Sequence, residues 1–553
     1  MEALKYDRID FKVDDDVEFV RVIRPDGSVD TLYPFKHQQI KISYDEEGME
    51  NIESIGKQEF YCRYTPDFIG EATVEFYGTK VNSTSLIVQQ SENHGYVEVG
   101  KKDTKYFSYS DGTPFFSVGI NTAFPSEYIS SDGTEFGHSK AFKYIGLKQY
   151  ERWFKKLSEN GCNVARVWLG HEYFNPDTEK AYEFDYKQFS KIDKLFELAK
   201  KYSIKLKLTL EQFRFFNYER LADSAGYDDD IFRKFNKRLY DGDVRCNSSM
   251  EWLTDDRWKK AWLYKIEEFA KRYSGDTAIF AIELWNEMNC VAEFKTVTEW
   301  NREIMPEVKK MFPRHLVCNS LGSLDSEYAK NDYNSFCWDK SDFIQIHRYL
   351  DQGAQYDDCR ENMLDVVKGA FEKITSDKPV FLAETGAVNN CHSGPFRFYV
   401  NDDRGILFAD SVYTPVFLKS AGTGNIWHWD ERYVEFKNLY HMFKPIKELV
   451  EGVDFENEAF ECADLSNERI SLLLLKGKTV TLGYVRNRED NWKNVLRDLK
   501  AAEPVESFEF DLADASAVQH IKIWNEDKTE VNLHNGKVCF RNINYGMLFK
   551  III

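Results

Sequence analysis

The chain begins with short segments in which apolar and polar residues alternate. Residues 17–22, 59–64 and 72–77 follow this pattern, and turn residues such as Pro25-Asp26-Gly27 separate such segments. An alternation with a period of two is typical of strands that bury one face. We therefore expect residues 1–95 to form an N-terminal Ig-like β-sandwich.

From about residue 115 the pattern changes, and strand-like apolar runs alternate with helical stretches. One stretch carries Tyr150, Trp153, Phe154 and Leu157 at helical spacing. Eight strand–helix units predict an α/β fold, a (β/α)8 TIM barrel, over residues 96–452. The predicted strands are 116–121, 164–169, 205–210, 279–285, 316–320, 343–347, 380–384 and 425–429.

Three further segments complete the predicted organisation. Residues 106–112 resemble a hairpin that leads into the barrel and could close its floor. Residues 223–250 are interpreted as a long loop over the barrel mouth. Alternation without helical stretches returns over residues 453–553, which predicts a C-terminal β-sandwich.

Two of the predicted strands lead to a glutamate: Glu287 lies two residues after the strand 279–285, and Glu384 ends the strand 380–384. The C-terminal mouth of a barrel is where catalytic groups lie, and a pair of carboxyl groups is the minimal equipment for cleaving a glycosidic bond. If the strands are regular, Glu287 shares a face with Trp285 and Glu283, and Glu384 shares a face with Leu382 and Val380. Glu283, deeper in the barrel, is interpreted as a structural carboxylate bonded to Arg166 or water.

Five motifs in register resemble the retaining glycoside hydrolases of clan A, and most closely family 5. These are Asn163-Val164-Ala165-Arg166, Glu283-Leu284-Trp285-Asn286-Glu287, His347-Arg348-Tyr349, Glu384-Thr385-Gly386, and Trp427 or Trp429 on the last strand. The resemblance covers residues 1 to about 450. It implies a double displacement with retention of configuration, in which Glu384 is the nucleophile and Glu287 is the acid and then the base.

The resemblance also implies a set of substrate-binding residues. Asn286 would hold the sugar 2-hydroxyl, Arg166 and Tyr349 would hydrogen-bond the nucleophile, and His347 would line the pocket. Trp427 or Trp429 would form the floor of the −1 site. Glu211 and Glu172 would bind hydroxyls and could narrow the cleft towards an exo-acting pocket. Met288 after the acid, where proline is common, and the third strand, which lacks an expected histidine, leave the subfamily and substrate open.

The composition limits the classes of partner that we expect for the protein. A net charge of −19 argues against nucleic acid, and no apolar run has the roughly 20 residues of a membrane helix. The ten cysteines form no CxxC pairs, and several of them, such as Cys162 and Cys318, are interpreted as reduced core residues. Since no signal peptide is visible, we expect a cytoplasmic protein that meets short oligosaccharides, unless a signal peptide has been removed from the sequence. No cofactor or metal is expected, and homo-oligomerisation through the β-domains stays open.

The expected function is an exo-acting retaining β-glycosidase of β-mannosidase or β-glucosidase type. The alternatives are an endo-acting glycanase of the same clan and a carbohydrate-binding barrel that has lost catalysis. A metal-dependent hydrolase would need an early His-x-His, but the first strand ends Gly119-Ile120-Asn121. The identity of the sugar is not predicted.

Overall fold

The computed structural model describes residues 1–125, 144–212, 240–246, 249–322, 324, 332–336, 338–351, 362–388, 395–430 and 432–553. The predicted loop over residues 223–250 therefore lies largely outside the described residues. None of the described helices is both long and apolar enough to cross a bilayer.

The first 89 residues form two facing sheets and a hairpin. The strands are β1 (Glu2–Leu4), β2 (Ile9–Val13), β3 (Phe19–Ile23), β4 (Val29–Leu32), β5 (Phe35–His37), β6 (Ile40–Tyr44), β7 (Glu50–Ser54), β8 (Glu59–Tyr64), β9 (Gly70–Tyr77) and β10 (Val81–Gln89). One sheet has the order β1-β10-β9-β3-β4, the second has the order β2-β8-β5, and β6 pairs with β7. Apolar residues of both sheets, including Phe11, Val20, Cys62 and Val74, share one core.

A small antiparallel sheet follows and lies beneath the barrel. It contains β11 (Val97–Val99), β12 (Phe107–Tyr109) and β13 (Pro114–Phe115). The rings of Phe107 and Phe115 contact the ring of Phe280, with centroid distances of 5.3 and 5.7 Å. Phe107 also contacts Phe343 at 5.7 Å, so these aromatic side chains plug the lower end of the barrel.

The central part of the chain contains parallel strands separated by helices. The strands are β14 (Gly119–Asn121), β15 (Val164–Trp168), β16 (Lys205–Thr209), β19 (Ile279–Glu283), β20 (Leu316–Cys318), β21 (Ile344–Asp351) and β22 (Val380–Val388); a hairpin of β17 (Tyr240–Asp241) and β18 (Val244–Arg245) lies between β16 and β19. Five of them form a parallel sheet in the order β14-β15-β16-β19-β20, and β21 pairs with β22. Asp342 N donates to Val317 O at 2.9 Å and joins the two groups.

The predicted eighth strand is an extended segment without regular pairing. In its place, Asn425 N donates to Leu382 O at 2.9 Å, and Asn121 N donates to Ile426 O at 3.3 Å. Thr385 N donates to Asn425 O at 3.0 Å and Trp427 N donates to Thr385 O at 2.9 Å, so residues 425–427 close the ring between β22 and β14 through one short parallel bridge. The expectation of a regular strand over 425–429 was wrong, because the pairing stops after Trp427, where Trp429 N turns onto Trp427 O.

Eight α-helices have defined bounds in the described residues, and residues 332–335 are also helical. They are α1 (Leu147–Glu159), α2 (Tyr186–Lys201), α3 (Ser249–Thr254), α4 (Asp256–Tyr273), α5 (Phe294–Met311), α6 (Met363–Phe371), α7 (Ile406–Tyr413) and α8 (Phe443–Val450). Asp185 and Asp255 cap α2 and α4 by accepting from the backbone N–H two residues later. The apolar face of α1, with Tyr150, Trp153 and Phe154, is fully buried.

Two β-bulges change which side chains face the barrel interior. The pairing of β16 with β19 skips Phe280, and the pairing of β21 with β22 skips Ala383. An extra residue reverses the alternation of the side chains that follow it. Phe381 and Ala383 therefore lie in the interior core, whereas Leu382 packs outside it. The expectation that Glu384 shares a face with Leu382 and Val380 was wrong for this reason.

The fourth strand also departs from the regular alternation. It ends at Glu283, and Trp285 turns outwards to pack against Trp252 of α3 and Trp300 of α5, at 5.2 and 6.0 Å. Trp285 therefore does not share a face with Glu287. The reason is that the chain leaves the strand before the predicted end at residue 285.

Residues after 460 form two further sheets. The strands are β23 (Glu461–Asp464), β24 (Ile470–Lys476), β25 (Val480–Asn487), β26 (Val505–Asp511), β27 (Ala517–Ile521), β28 (Glu530–His534), β29 (Lys537–Ile543) and β30 (Gly546–Ile552). One sheet has the order β23-β24-β25-β30-β27 and the other β26-β29-β28. Leu472, Val485, Phe540 and Phe549 belong to their common core.

A buried ionic cluster joins the N-terminal sheets to the barrel. Arg63 of β8 donates to Asp193 of α2 at 2.8 Å, and to both oxygens of Asp10 at 2.7 and 3.0 Å. Arg8 lies 3.1 Å from Asp276 and 3.9 Å from Asp193. Burial alone would raise the pKa of Asp193, but Arg63 and Arg8 outweigh it and hold this pKa well below its usual range.

We expect Asp193→Ala to lower the free energy of unfolding by about 3 kcal/mol, because it leaves a buried arginine partly uncompensated. Glu197→Ala, one helical turn away, removes only a surface pair with Lys194 and should cost less than about 1 kcal/mol. Urea denaturation of both variants measures the difference. Equal losses in the two variants would contradict the structural role of the cluster.

Candidate functional site

Arg166, on β15, is the centre of the polar cluster at the barrel mouth. Its side chain is completely buried. Nε and Nη2 donate to the two oxygens of Glu283 at 2.7 and 2.8 Å. Nη2 also donates to Asn286 Oδ1 at 2.7 Å, and Nη1 donates to Asn121 Oδ1 at 3.2 Å and to Glu384 Oε1. All five N–H groups of the guanidinium therefore have an acceptor, which fixes its plane.

Glu384 lies on β22 immediately after the bulge at Ala383. Its side chain is 4% exposed. One carboxylate oxygen accepts from Arg166, and the other accepts from the Tyr349 hydroxyl at 2.7 Å. His347 Nδ1 lies 3.4 Å from the second oxygen. The carboxylate is thus held in one orientation by neighbours on two different strands.

Glu287 occupies an unusual backbone position beyond the end of β19. Its φ of 50° and ψ of 53° are left-handed, which is uncommon for a residue other than glycine. Glu287 N donates to Ser320 Oγ at 2.9 Å, and its carboxylate lies against Gly322, where an added Cβ would come within 2.9 Å of Cδ. The contact with Gly322 and the bond to Ser320 hold the left-handed turn that directs Glu287 into the mouth.

The two glutamates converge on a common space. A carboxylate oxygen of Glu287, a ring nitrogen of His347 and a carboxylate oxygen of Glu384 all lie within 4.8 Å of one another. Retaining glycosidases have carboxyl groups about 5–5.5 Å apart, whereas inverting enzymes need about 6.5–9.5 Å to admit a water molecule. An upper bound of 4.8 Å between two carboxylate oxygens lies below the range of the inverting enzymes.

His347 links the two carboxyl groups and is buried. Its Nδ1 lies 2.9 Å from Glu287 Oε1. Burial lowers the pKa of His347 to about 4, although Glu384 opposes this effect. The imidazole is therefore neutral near neutral pH, and its tautomer decides whether Nδ1 donates to Glu287 or accepts from it.

A second charged pair, Lys207 and Glu283, lies deeper in the barrel than the two mouth glutamates. Lys207 Nζ is 3.7 Å from Glu283 Oε2 and donates to Gln345 Oε1, while Thr209 Oγ1 donates to Glu283 at 2.9 Å. Burial lowers the pKa of Lys207 to about 8 despite the nearby carboxylate. Burial would raise the pKa of Glu283, but Arg166 and Lys207 hold it well below its usual range.

Glu287, His347 and Glu384 have the residue types of a three-ligand metal site. The guanidinium of Arg166, however, already donates to Glu384. The fixed positive charge of Arg166 lies beside Glu384 and opposes the binding of a divalent cation there. The donor set therefore fits a pair of reacting carboxyl groups better than a metal centre.

The two candidate tryptophans differ in their surroundings. Trp427 is half-buried, and its ring lies 5.0 Å from Trp168 and 5.3 Å from Trp429. Trp429 is only 1% exposed and packs against Trp153 of α1 at 6.2 Å. Trp427 can therefore present a face to a sugar, whereas Trp429 supports it from behind.

Glu211 and Glu172 lie outside the central cluster. Glu211 is buried and accepts from Lys265 at 2.9 Å and from Trp262 at 3.0 Å. Glu172, half-buried on the loop after β15, accepts from the Tyr144 hydroxyl. Their carboxylates thus have partners in the surrounding helices and loops, and only Glu172 is part of the exposed rim.

The sequence analysis missed two residues that organise the cluster. Asn121 Nδ2 donates to Ala383 O and Ile426 O at 3.0 and 3.1 Å, while its Oδ1 accepts from Arg166. Ser320 fixes the backbone of Glu287. Both are polar residues at the ends of apolar strands, and this position is the signal that could have identified them.

Some known proteins are similar to this chain in sequence, and others are similar in fold. No model of a known protein family matches the chain. A 255-residue stretch is 25% identical to mannan endo-1,4-beta-mannosidase A of Emericella nidulans, covering 43% of this chain and 62% of that protein. The match thus spans less than two thirds of the length of the fungal protein.

Two crystal structures from Bacteroides vulgatus ATCC 8482 share the fold. The first aligns over the whole of both chains, with a TM-score of 0.56 and 13% identity. The second, a glycoside hydrolase of family 5, aligns over 83% of this chain and 94% of its own, with a TM-score of 0.51 and 13% identity. The sequence match and the shared fold both agree with the resemblance to the clan A glycoside hydrolases, and in particular to family 5.

Proposed function

We propose that the chain is a retaining endo-β-glycosidase that cleaves β-1,4-mannosidic linkages. The observation that carries the proposal is the convergence of Glu287 and Glu384 within 4.8 Å. Arg166 and Tyr349 hold one carboxylate from two sides, as a nucleophile requires. The substrate class is taken from the fungal relative, which is named a mannan endo-1,4-beta-mannosidase.

In the proposed first step, a carboxylate oxygen of Glu384 attacks the anomeric carbon. The bond from that carbon to the glycosidic oxygen breaks, and Glu287 gives its proton to the departing oxygen. In the second step Glu287 takes a proton from water, and the water oxygen displaces Glu384 from the anomeric carbon. Two inversions at one carbon return the original β configuration.

The surrounding residues support this sequence of steps. Asn286 Oδ1 accepts from Arg166, which leaves the amide NH2 group to donate to the sugar 2-hydroxyl. His347 contacts Glu287 and is neutral, so it adds no positive charge that would favour loss of the Glu287 proton. Trp427 provides an apolar face for the ring in the −1 site.

Endo action replaces the exo action expected from the sequence. That expectation rested on short oligosaccharides as the substrate and on Glu211 or Glu172 narrowing the cleft, but Glu211 is engaged by Lys265 and Trp262. The named relative acts within mannan chains. Endo action therefore has the better support.

We expect incubation with β-1,4-mannohexaose to release mannobiose, mannotriose and mannotetraose early in the reaction. The newly formed reducing ends should be β anomers at first, because the mechanism retains configuration. Chromatography of the products and proton NMR of the fresh reaction measure both properties. Release of mannose alone from one end would establish exo action, and initial α anomers would refute the double displacement.

We expect Glu384→Ala to lose at least about 10⁴-fold in kcat, because no nucleophile remains. Sodium azide should restore turnover of an activated aryl β-mannoside and yield the α-mannosyl azide, since azide attacks from the face that Glu384 vacates. Glu372→Ala, an exposed carboxylate on the same barrel, is the matched control and should keep wild-type activity. Substantial activity in Glu384→Ala without azide would remove this residue as nucleophile.

We expect Glu287→Ala, unlike Glu384→Ala, to retain the first step with an activated substrate. A 2,4-dinitrophenyl leaving group needs no proton, so the first step should persist while hydrolysis of the glycosyl-enzyme becomes limiting. Azide should then accelerate turnover and give the β-mannosyl azide. Burst kinetics and NMR of the product test the assignment, and equal losses with activated and unactivated substrates would contradict the acid role.

A further inference from the structure

A residue of the N-terminal sheets reaches the rim of the barrel mouth. Glu50, the first residue of β7, accepts from Leu147 N at 2.8 Å and from the Tyr173 hydroxyl at 2.7 Å. Its own backbone N donates to Tyr144 O at 2.7 Å. One residue is therefore bonded to the start of helix α1, to the segment before it and to the loop after β15.

The packing around this carboxylate is close. Gly146 has a φ of 68°, and a Cβ there would lie 2.4 Å from Glu50 Oε2 and 2.6 Å from the Tyr173 hydroxyl. Helix α1 has no acidic residue in its first turn and no side-chain cap of its own. Glu50 therefore supplies, from 97 residues away, the negative group that a helix N-terminus favours.

Two of the segments that Glu50 holds contribute Tyr144 and His171 to an aromatic wall beside the site. We use the name aromatic wall for Phe124, Tyr144, His171 and Trp427. Phe124 stacks on His171 at 4.7 Å with an interplanar angle of 14°, and it meets Trp427 edge-on at 6.3 Å. Tyr144 packs edge-on against His171 at 6.0 Å, and its hydroxyl donates to Glu172.

The aromatic wall lies on the side of the site away from Glu287. Phe124 follows β14, His171 follows β15, and Trp427 belongs to the segment that closes the ring. Glu287 follows β19 on another part of the ring. In the proposed mechanism Glu287 protonates the leaving oxygen, so the leaving sugar lies on its side, and the retained sugars extend along the aromatic wall.

We propose that Glu50 is a positioning residue that sets substrate affinity by holding the aromatic wall in place. It touches neither substrate nor the reacting atoms, and it acts through Tyr173, Tyr144 and the start of α1. This inference rests on the proposed function. It makes the N-terminal sheet region a structural part of the cleft that binds the retained sugars.

Glu50→Ala should raise KM for β-1,4-mannohexaose about tenfold while kcat stays within about twofold, because the wall loosens without disturbing Glu287 or Glu384. Tyr173→Phe removes a single hydroxyl and should raise KM in the same direction by a smaller factor. Glu50→Gln retains one acceptor oxygen and should recover part of the affinity. Glu53→Ala, an exposed residue of the same strand, is the control and should match the wild type.

The split between KM and kcat separates positioning from simple loss of folded protein. A smaller folded fraction lowers the apparent kcat and leaves KM unchanged, and thermal melting of each variant measures that fraction. Unchanged KM in both Glu50→Ala and Tyr173→Phe, with an active wild type, would overturn the positioning role alone. A wild type that cleaves no β-mannoside would overturn the proposed function, and this inference with it.

Discussion

The guanidinium of Arg166 determines the geometry of the barrel mouth. Its five N–H groups bond to Glu283, Glu384, Asn286 and Asn121, which come from three different segments of the chain. Such an arrangement allows little rotation, because any movement breaks a charge-assisted bond in a buried environment. The orientation of the Glu384 carboxylate is thus a consequence of packing around one cation.

The alternation of barrel strands and helices, and the identity of the two glutamates, could be predicted from the sequence. The orientation of those glutamates could not be derived from regular strand alternation. Glu384 faces the mouth because Ala383 is bulged out of register, and Glu287 does so because its backbone is left-handed. The pairing partner decides where an extra residue is accommodated, and a single sequence does not contain that information.

The last strand illustrates a different limit. Residues 425–429 have the apolar and aromatic composition of a strand, yet the backbone pairing with β22 and β14 is limited to a short bridge over residues 425–427. The Asn121 side chain supplies further bonds to the carbonyl groups of this segment and of Ala383. A side-chain amide thus supplies hydrogen bonds that a neighbouring strand would otherwise supply. The pattern of apolar and polar residues predicts strands, but it does not predict such side-chain bonds. This irregular backbone is also what brings Trp427 to the mouth.

Charge balance explains why the barrel holds Lys207 and Glu283 below the site. With both carboxylates ionised, Arg166 and Lys207 balance Glu283 and Glu384. In the proposed mechanism the charge of Glu384 disappears when the glycosyl-enzyme forms. Arg166 nevertheless keeps its bidentate partner Glu283, so the guanidinium does not become an unpaired buried cation. Lys207 likewise stays 3.7 Å from Glu283 Oε2, so the lower charge pair is kept as well. The lower pair therefore lets the upper carboxylate lose its charge without disrupting the arginine that positions it.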